Sequence, residues 1–480
     1  MWGIAGLGVL ILFSLQLIIA ESLILLENRY PEKTRQWLTV LGALPVAGFI
    51  LYLLLGLQAR RGRLFPHKHA QGKKLKQIAG KQKSKLQTQH VMLGENQDYQ
   101  KKLTRLILTN TSSPLTINNE TTVLTNGREK FRVLREELEG ASHHIHAEYY
   151  IFRDDKIGRE IQDLLSRKSR EGVQVRLLVD GAGSKGLPAV FFKTLKEKGI
   201  EAGVFFPVRF PYLGSRLNYR NHRKIVVVDG KTGFLGGMNV GDEYLSRDPR
   251  HGFWRDTHLR IKGEAVHVLQ TTFLNDWVFS TKRNVGGEEF YPAPGPSGNQ
   301  LTQIIASGPD SKWYAVKQVL FAALAGATKT IHITTPYLVP DESMLTMLQT
   351  TALSGLEVKV LVQGVPDHRL VYWASRSYFQ ELLEAGVEIY QYQKGILHAK
   401  IATVDGSTAF VGSANFDIRS FELDLEVTAA IYDRELVNKL EKDFEQDLSE
   451  SEQVKLDEFR ERGLRARLLE AHARLVAPLL

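Results

Sequence analysis

Asn221-His222-Arg223-Lys224-Ile225-Val226-Val227-Val228-Asp229 and, in the second half of the chain, Leu397-His398-Ala399-Lys400-Ile401-Ala402-Thr403-Val404-Asp405 carry one pattern, H-x-K-x4-D. Side chains two apart on a strand share a face, so each histidine and its lysine point the same way while the apolar residues 225–228 and 401–404 continue into a sheet. Among 14 histidines one such match has about one chance in twenty, and two have on the order of one in a thousand.

Outward from each motif the sequence alternates between helical and strand periodicity, and the alternation occurs twice. In the first copy a helix near 131–139, a strand at 144–152, a helix at 160–170 and a strand at 173–179 precede the motif. In the second copy the helix is at 315–324, the strand at 330–335, the next helix at 343–351 and the next strand at 357–362. This order predicts α/β layers with helices covering a buried sheet. The Gly- and Pro-rich stretch 286–300 separates the copies. The expected domains are therefore 111–285 and 301–480, related by a pseudo-twofold axis, with a site at their interface that receives one motif from each.

The residues suit displacement at phosphorus. A phosphodiester is anionic, so its attack needs positive charge near the non-bridging oxygens, a nucleophile, and an acid for the leaving alkoxide. Lys224 and Lys400 supply charge, one neutral imidazole attacks and the other, protonated, donates. Asp229 and Asp405 complete the motifs. The scheme needs no metal and no cofactor. Seventeen positions beyond each histidine stand Asn239 and Asn415, and fifteen beyond stand Gly237 and Ser413. Asn239, Ser413 and Asn415 are expected to donate to phosphate oxygens. Asp256 and Glu426 are expected to orient His222 and His398 respectively through the distal ring nitrogen.

The formal charge of +9 is local, because ten Lys or Arg and no acid lie between Arg60 and Lys85. Removing that run leaves the chain near neutral, unlike a nucleic-acid groove, which needs distributed cations. The absence of cysteine excludes disulfides and thiolate chemistry. Residues 3–26 and 37–57 are apolar enough to span a hydrocarbon core of roughly 30 Å. They predict a transmembrane hairpin over 1–59, followed by a basic linker over 60–110. The first stretch alone also reads as a signal peptide, but it lacks a basic start and a small-residue cleavage site. The basic run places everything after Leu57 in the cytoplasm, and it also suits attraction to an anionic membrane surface.

The duplicated motif, with Gly236-Gly237-Met238-Asn239 and Gly412-Ser413-Ala414-Asn415 behind it, resembles the phospholipase D superfamily. Gly241-Asp242-Glu243-Tyr244, Ser307-Gly308-Pro309-Asp310, Pro336-Tyr337 and Asn415-Phe416-Asp417-Ile418-Arg419-Ser420 resemble the bacterial cardiolipin synthases within it, over essentially the whole length. The resemblance implies transfer of a phosphatidyl group between two phosphatidylglycerol molecules, giving cardiolipin and glycerol through a phosphohistidine. It also implies that His222 is the nucleophile, a choice the residues alone leave open. It implies a multi-pass protein of the cell membrane with phosphatidylglycerol and cardiolipin as its partners and no nucleic acid. Two other readings stay open at this point: a phospholipase D or phosphatidyltransferase using another acceptor alcohol, and a membrane-tethered nuclease or nucleic-acid binder.

Three further stretches read two ways. His143, His144 and His146 suggest a metal cluster but lack a completing carboxylate spacing and read better as structural. The aromatic loop 205–212 reads as a lipid entrance or a packed loop. The tail 457–475, with Arg, Glu and Leu at helical spacing, reads as a packing helix or a membrane-surface helix.

Overall fold

The computed structural model describes residues 31–52, 77–80, 82, 97–208, 218–293, 295 and 297–477, with the isolated positions 18 and 22. The chain divides into two compact units, one of residues 1–66 with 208–219 and one of residues 67–207 with 220–480.

In the first unit the helix Pro31–Ala43 is followed by the helix Pro45–Leu51. Pro45 disfavours helical geometry in the residue before it, and Leu44 leaves the helix with ψ 70°. The two helices turn back on one another, so that the Trp37 and Tyr52 rings meet edge-on at 5.3 Å. The stretch 37–57, expected to form one span, is therefore interrupted within its described part. Among the described residues no helix is long and apolar enough to cross a membrane. The first expected span, 3–26, lies outside the described residues except for positions 18 and 22, as does most of the basic run.

The second unit holds both motif copies. Its first half contributes strands β1 (Thr116–Thr125), β2 (His144–Tyr149), β3 (Gln174–Asp180), β4 (Glu201–Phe205), β5 (Ile225–Val228), β6 (Thr232–Gly236), β7 (Phe253–Arg255) and β8 (Thr257–Gly263). Its second half contributes β9 (Gln300–Ser307), β10 (Thr330–Thr334), β11 (Leu338–Val339), β12 (Glu357–Gln363), β13 (Glu388–Tyr392), β14 (Gly395–Leu397), β15 (Ile401–Val404), β16 (Thr408–Gly412), β17 (Phe416–Asp417), β18 (Glu426–Ile431) and β19 (Ser451–Gln453). Fifteen of these form one sheet, in which the order β4-β3-β2-β5-β6-β8-β1 is followed without a break by β9-β18-β16-β15-β10-β12-β13, with β19 on the edge. The second run is the first reversed. β1 and β9 meet antiparallel at the centre, as a twofold axis normal to the sheet requires of equivalent strands. The expected two-domain α/β fold is present.

The motif strands show why the sheet is buried on both faces. Ile225 and Val227 enter a core shared with Val427, Ala429 and Ile431 of the other half, whereas Val226 and Val228 enter the core of their own half. A run of β-branched residues suits a strand with no solvated face. The shared core lies across the seam, so the halves fold as one body.

The two motif aspartates are not in the site. Asp229 and Asp405 are the first residues of three-residue hairpin connections, with φ 53° and 51°, followed by Gly230 and Gly406 at φ 65° and 60°. Positive φ at both residues is the type I′ turn that Asp-Gly favours. At about 3.3 Å per residue, seven positions carry each aspartate roughly 23 Å from its histidine along the chain. Asp229 accepts from the backbone N–H groups of Ser142, His143 and His144, and Asp405 from those of Thr328, Lys329 and Thr330. They tie each hairpin to the start of the neighbouring strand.

The helix Gln97–Thr111, inside the expected linker, packs Leu103 and Ile107 into the second-half core and bonds Asn110 to Gln318 at 2.7 Å. Its apolar residues at helical spacing make it part of the domain.

Burial raises the Asp229 carboxyl, but the N–H groups it accepts from outweigh burial and hold it below its usual value. Its contribution to stability is present above the ordinary carboxylate range and is lost as pH falls through the lowered value. Asp229→Ala and Asp405→Ala should each lose about 2 kcal/mol of stability while the folded fraction keeps its turnover per molecule. Asn, which tolerates the turn, should lose less. Chemical denaturation with parallel activity measurement checks this, and the Asp229→Ala deficit should shrink at acid pH.

Candidate active site

Each histidine segment leaves its own half and pairs with the other. β14, which ends at Leu397, runs parallel to β7 of the first half, and the His398 N–H donates to the Arg255 carbonyl at 2.7 Å. Reciprocally, the His222 N–H donates to the Leu425 carbonyl at 2.9 Å and the Leu425 N–H to the Arg220 carbonyl at 2.8 Å. These contacts place each motif beside the acid that follows the other motif. His222 Nδ1 lies 2.8 Å from Glu426 Oε1, and His398 Nδ1 lies 2.8 Å from Asp256 Oδ2.

The expected pairing, Asp256 with His222 and Glu426 with His398, is thus exchanged. β6 lies between β5 and β8, so within one half the histidine and the acid are two strand spacings apart, roughly 10 Å. Across the seam they are neighbours. With Nδ1–H given to a carboxylate, each ring keeps Nε2 for the cavity that both histidines line.

Ser413 is also not where the sequence suggested. It is fully buried, donates from Oγ to Glu426, and accepts from the Val427 N–H at 3.0 Å. It seats the carboxylate that orients His222. Its counterpart Gly237 has the same task by other means, since a Cβ there would stand 2.1 Å from Asp256 Oδ1. A longer acid with a serine and a shorter acid with a glycine are two ways of holding one carboxylate.

Asn239 and Asn415 do line the cavity. Asn239 accepts from the Ile151 N–H at 3.0 Å and donates to Tyr244 Oη at 2.7 Å, whereas Asn415 Oδ1 has no partner among the described residues. The cavity is about 340 Å³. Its aromatic wall includes Tyr150, edge-on to His222 at 5.0 Å, and Trp254, 5.4 Å from His398. Asp424 also faces it, with Oδ2 accepting from Arg419 and Oδ1 unpartnered among the described residues. Burial raises the Asp424 carboxyl to about 7 against the pull of Arg419.

Lys224 and Lys400 are buried beside the histidines, and Lys224 Nζ donates to the His222 carbonyl at 2.6 Å, as Lys400 Nζ does to that of His398. Burial brings Lys224 down to about 7 and Lys400 to about 8, in each case against the carboxylates Glu426 and Asp256, and the Lys400 charge also lowers Lys224. Burial also brings His222 down to about 4, opposed by Glu426 and assisted by Lys224. His398 is lowered by burial and by Lys400 against Asp256. The neutral form of both rings is therefore favoured near pH 7.

Two buried ion pairs behind the histidines carry a sequence signal that motif reading passed over. Arg223 pairs with Asp276 at 2.5 Å and donates to the carbonyls of Glu426 and Ser307, both in the other half, at 3.0 Å. Arg255 pairs with Asp447 at 2.8 Å. Asp276 and Asp447 occupy matching places in Phe273-x2-Asp276 and Phe444-x2-Asp447, a duplicated spacing visible in the chain. The phenylalanines stack on His146 and His332. His144 and His146 are hydrogen-bonded to Gln270 at 2.9 and 2.7 Å, a structural role for the histidine cluster. In the aromatic loop, Phe205 and Phe206 pack on Phe279, and residues 209–212 lie outside the described residues.

The family model described as "Cardiolipin synthase, PLD-like domain" matches residues 134–277 and 320–448. The chain is 46% identical to cardiolipin synthase 2 of Bacillus anthracis over 98% of this chain and 91% of that protein. The chain belongs to the cardiolipin synthase family. It is 41% identical to the major cardiolipin synthase of Bacillus subtilis, with 98% of each chain covered. A crystal structure of phosphatidylserine synthase from Haemophilus influenzae shares the fold at TM-score 0.62 and 15% identity, over 79% of this chain and all of that one. The protein is accordingly an enzyme, a phosphatidyltransferase of the cardiolipin synthase type.

Because each carboxylate serves the opposite half's histidine, Glu426→Gln should impair the step carried by His222 and Asp256→Asn the step carried by His398. Each should lower kcat roughly a hundredfold or more with little change in KM. Steady-state kinetics on phosphatidylglycerol in mixed micelles reads the split.

Proposed function

We propose that the site transfers a phosphatidyl group from one phosphatidylglycerol to a hydroxyl of a second, releasing glycerol. The observation that supports this reading most directly is the pair of Nδ1-anchored, neutral imidazoles lining one cavity. His222 Nε2 attacks phosphorus while His398, protonated, gives its proton to the leaving glycerol oxygen. The incoming glycerol hydroxyl then returns its proton to His398 and displaces His222, so one P–O bond is broken and one formed overall. The anionic phosphodiester offsets the Lys400 charge that, together with burial, lowers His398, so substrate arrival favours its protonated form. His222 is taken as nucleophile because burial, assisted by Lys224 against Glu426, favours its neutral form and brings it down to about 4. Asn239 and Asn415 serve as phosphate-side contacts, and Asp424 as an acceptor for a glycerol hydroxyl.

The amino-terminal segment is proposed to anchor the enzyme in the cell membrane as a helical hairpin, with the catalytic halves on the cytoplasmic side. The apolar composition of residues 3–26 and 37–57 and the basic run after them support this placement. Residues 60–85 would then attract the halves to anionic headgroups.

Detergent-solubilised enzyme mixed with phosphatidylglycerol, without CTP or added metal, should yield cardiolipin and glycerol by mass spectrometry. Phosphatidic acid as the sole product would contradict transfer. His222→Ala and His398→Ala should each abolish turnover, with a trapped phosphatidyl-enzyme missing in His222→Ala alone.

The free-enzyme pH profile follows from the same groups. kcat/KM should fall on the alkaline side between about 7 and 8, as Lys224 and Lys400 lose their protons. Lys224→Arg, which stays charged, should move that limb to higher pH if it retains activity.

A further inference from the structure

The helix Leu464–Val476 packs by one face only. Glu470, Ala473 and Ala477 are buried, and Glu470 accepts from Arg376 at 3.2 Å and Arg462 at 2.7 Å, which fixes the helix against its neighbours. Opposite that face Leu464, Leu468, Ala471 and Leu475 follow the spacing i, i+4, i+7, i+11 and form a single stripe. The three leucines are 71%, 50% and 80% exposed. Single exposed leucines are ordinary, but an in-register apolar stripe marks a docking surface. Arg467 flanks it on one side and Arg465 with His472 on the other, all exposed, and neither arginine forms an ion pair among the described residues.

The buried face of the helix, through Glu470, rests on a segment that lines the catalytic cavity. The helix packs against the helix Arg369–Arg376, held there also by Arg474 Nη1 on the Ser377 carbonyl at 3.2 Å. Asp367, His368 and Val371 of that segment line the cavity, while Val365, Arg369 and Leu370 beside them face solvent. The rim of the site is thus apolar and basic, like the helix behind it.

We propose that the carboxy-terminal helix, with the rim residues Leu370 and Arg369, docks on an anionic phospholipid bilayer and sets the cavity mouth at the lipid surface. The leucines enter the headgroup–acyl boundary and the arginines meet lipid phosphates. A diacyl substrate then presents its phosphodiester to His222 and His398 while its chains stay in hydrocarbon. This rests on the proposed lipid substrate, and it adds a second contact with the membrane, independent of the amino-terminal segment.

The chain has no cysteine, so Leu468→Cys places a unique fluorescent label on the stripe and Lys193→Cys places one on the exposed face of the helix Ala189–Glu197. With full-length enzyme in nanodiscs containing phosphatidylglycerol, the label at 468 should be quenched by iodide roughly fivefold less than the label at 193. The protection should weaken in phosphatidylcholine alone. Equal quenching at the two positions overturns the docking, and equal protection in both lipids overturns the anionic preference. Leu468→Glu with Leu475→Glu should slow turnover of bilayer phosphatidylglycerol roughly tenfold and that of monomeric short-chain phosphatidylglycerol less than about twofold. Equal loss on both overturns the proposal. Unmodified enzyme inactive on both forms would instead remove the proposed reaction, leaving iodide accessibility to judge the docking on its own.

Discussion

The carboxylate on each histidine comes from the other half of the chain. Glu426 holds Nδ1 of His222 and Asp256 holds Nδ1 of His398, and the backbone around each pair is stitched by bonds that also cross the seam. A neutral imidazole is useful at phosphorus only in one tautomer and one orientation. Neither half can supply both, because β6 in the first half and β16 in the second separate each histidine from its own half's acid. The duplication is therefore a requirement of the chemistry. The continuous sheet and the shared core of Ile225, Val227, Val427 and Ala429 keep the halves in the register that the exchange demands.

That arrangement also accounts for the charges beneath the site. Two lysines, two histidines and two carboxylates lie in one buried space, where the carboxylates oppose the fall that burial imposes on the lysines and histidines. Removing one member leaves an uncompensated charge at high cost. The same holds for Arg223 with Asp276, whose guanidinium also caps two carbonyls of the opposite half. Structural and catalytic electrostatics are hard to separate here, since the groups that tune the rings also fasten the halves together.

Much of this was legible in the chain. The duplicated H-x-K-x4-D, the alternating periodicities and the Gly- and Pro-rich separator predicted two α/β halves and a site between them, and Asp256 and Glu426 were visible as orienting acids. Their exchange was not, because order along the chain does not say which neighbour a segment meets at a seam. Asp229 and Asp405 were misread for a different reason: Asp229-Gly230 and Asp405-Gly406 are strong hairpin signals, but their membership in the motif invited a catalytic role. Ser413 looked like a phosphate ligand by residue type alone, and only the seat of Glu426 explains why its counterpart is glycine. The helix Gln97–Thr111 was hidden by the charged stretch before it.

The exchanged pairing is open to direct measurement. In enzyme labelled with ¹⁵N-histidine, each Nδ1–H held by a carboxylate gives a strongly deshielded proton resonance, assignable by His222→Gln and His398→Gln. The account predicts that the His222 resonance is lost or moves far upfield in Glu426→Gln and persists in Asp256→Asn, with the converse for His398. Loss of the His222 signal in Asp256→Asn, with retention in Glu426→Gln, would contradict it.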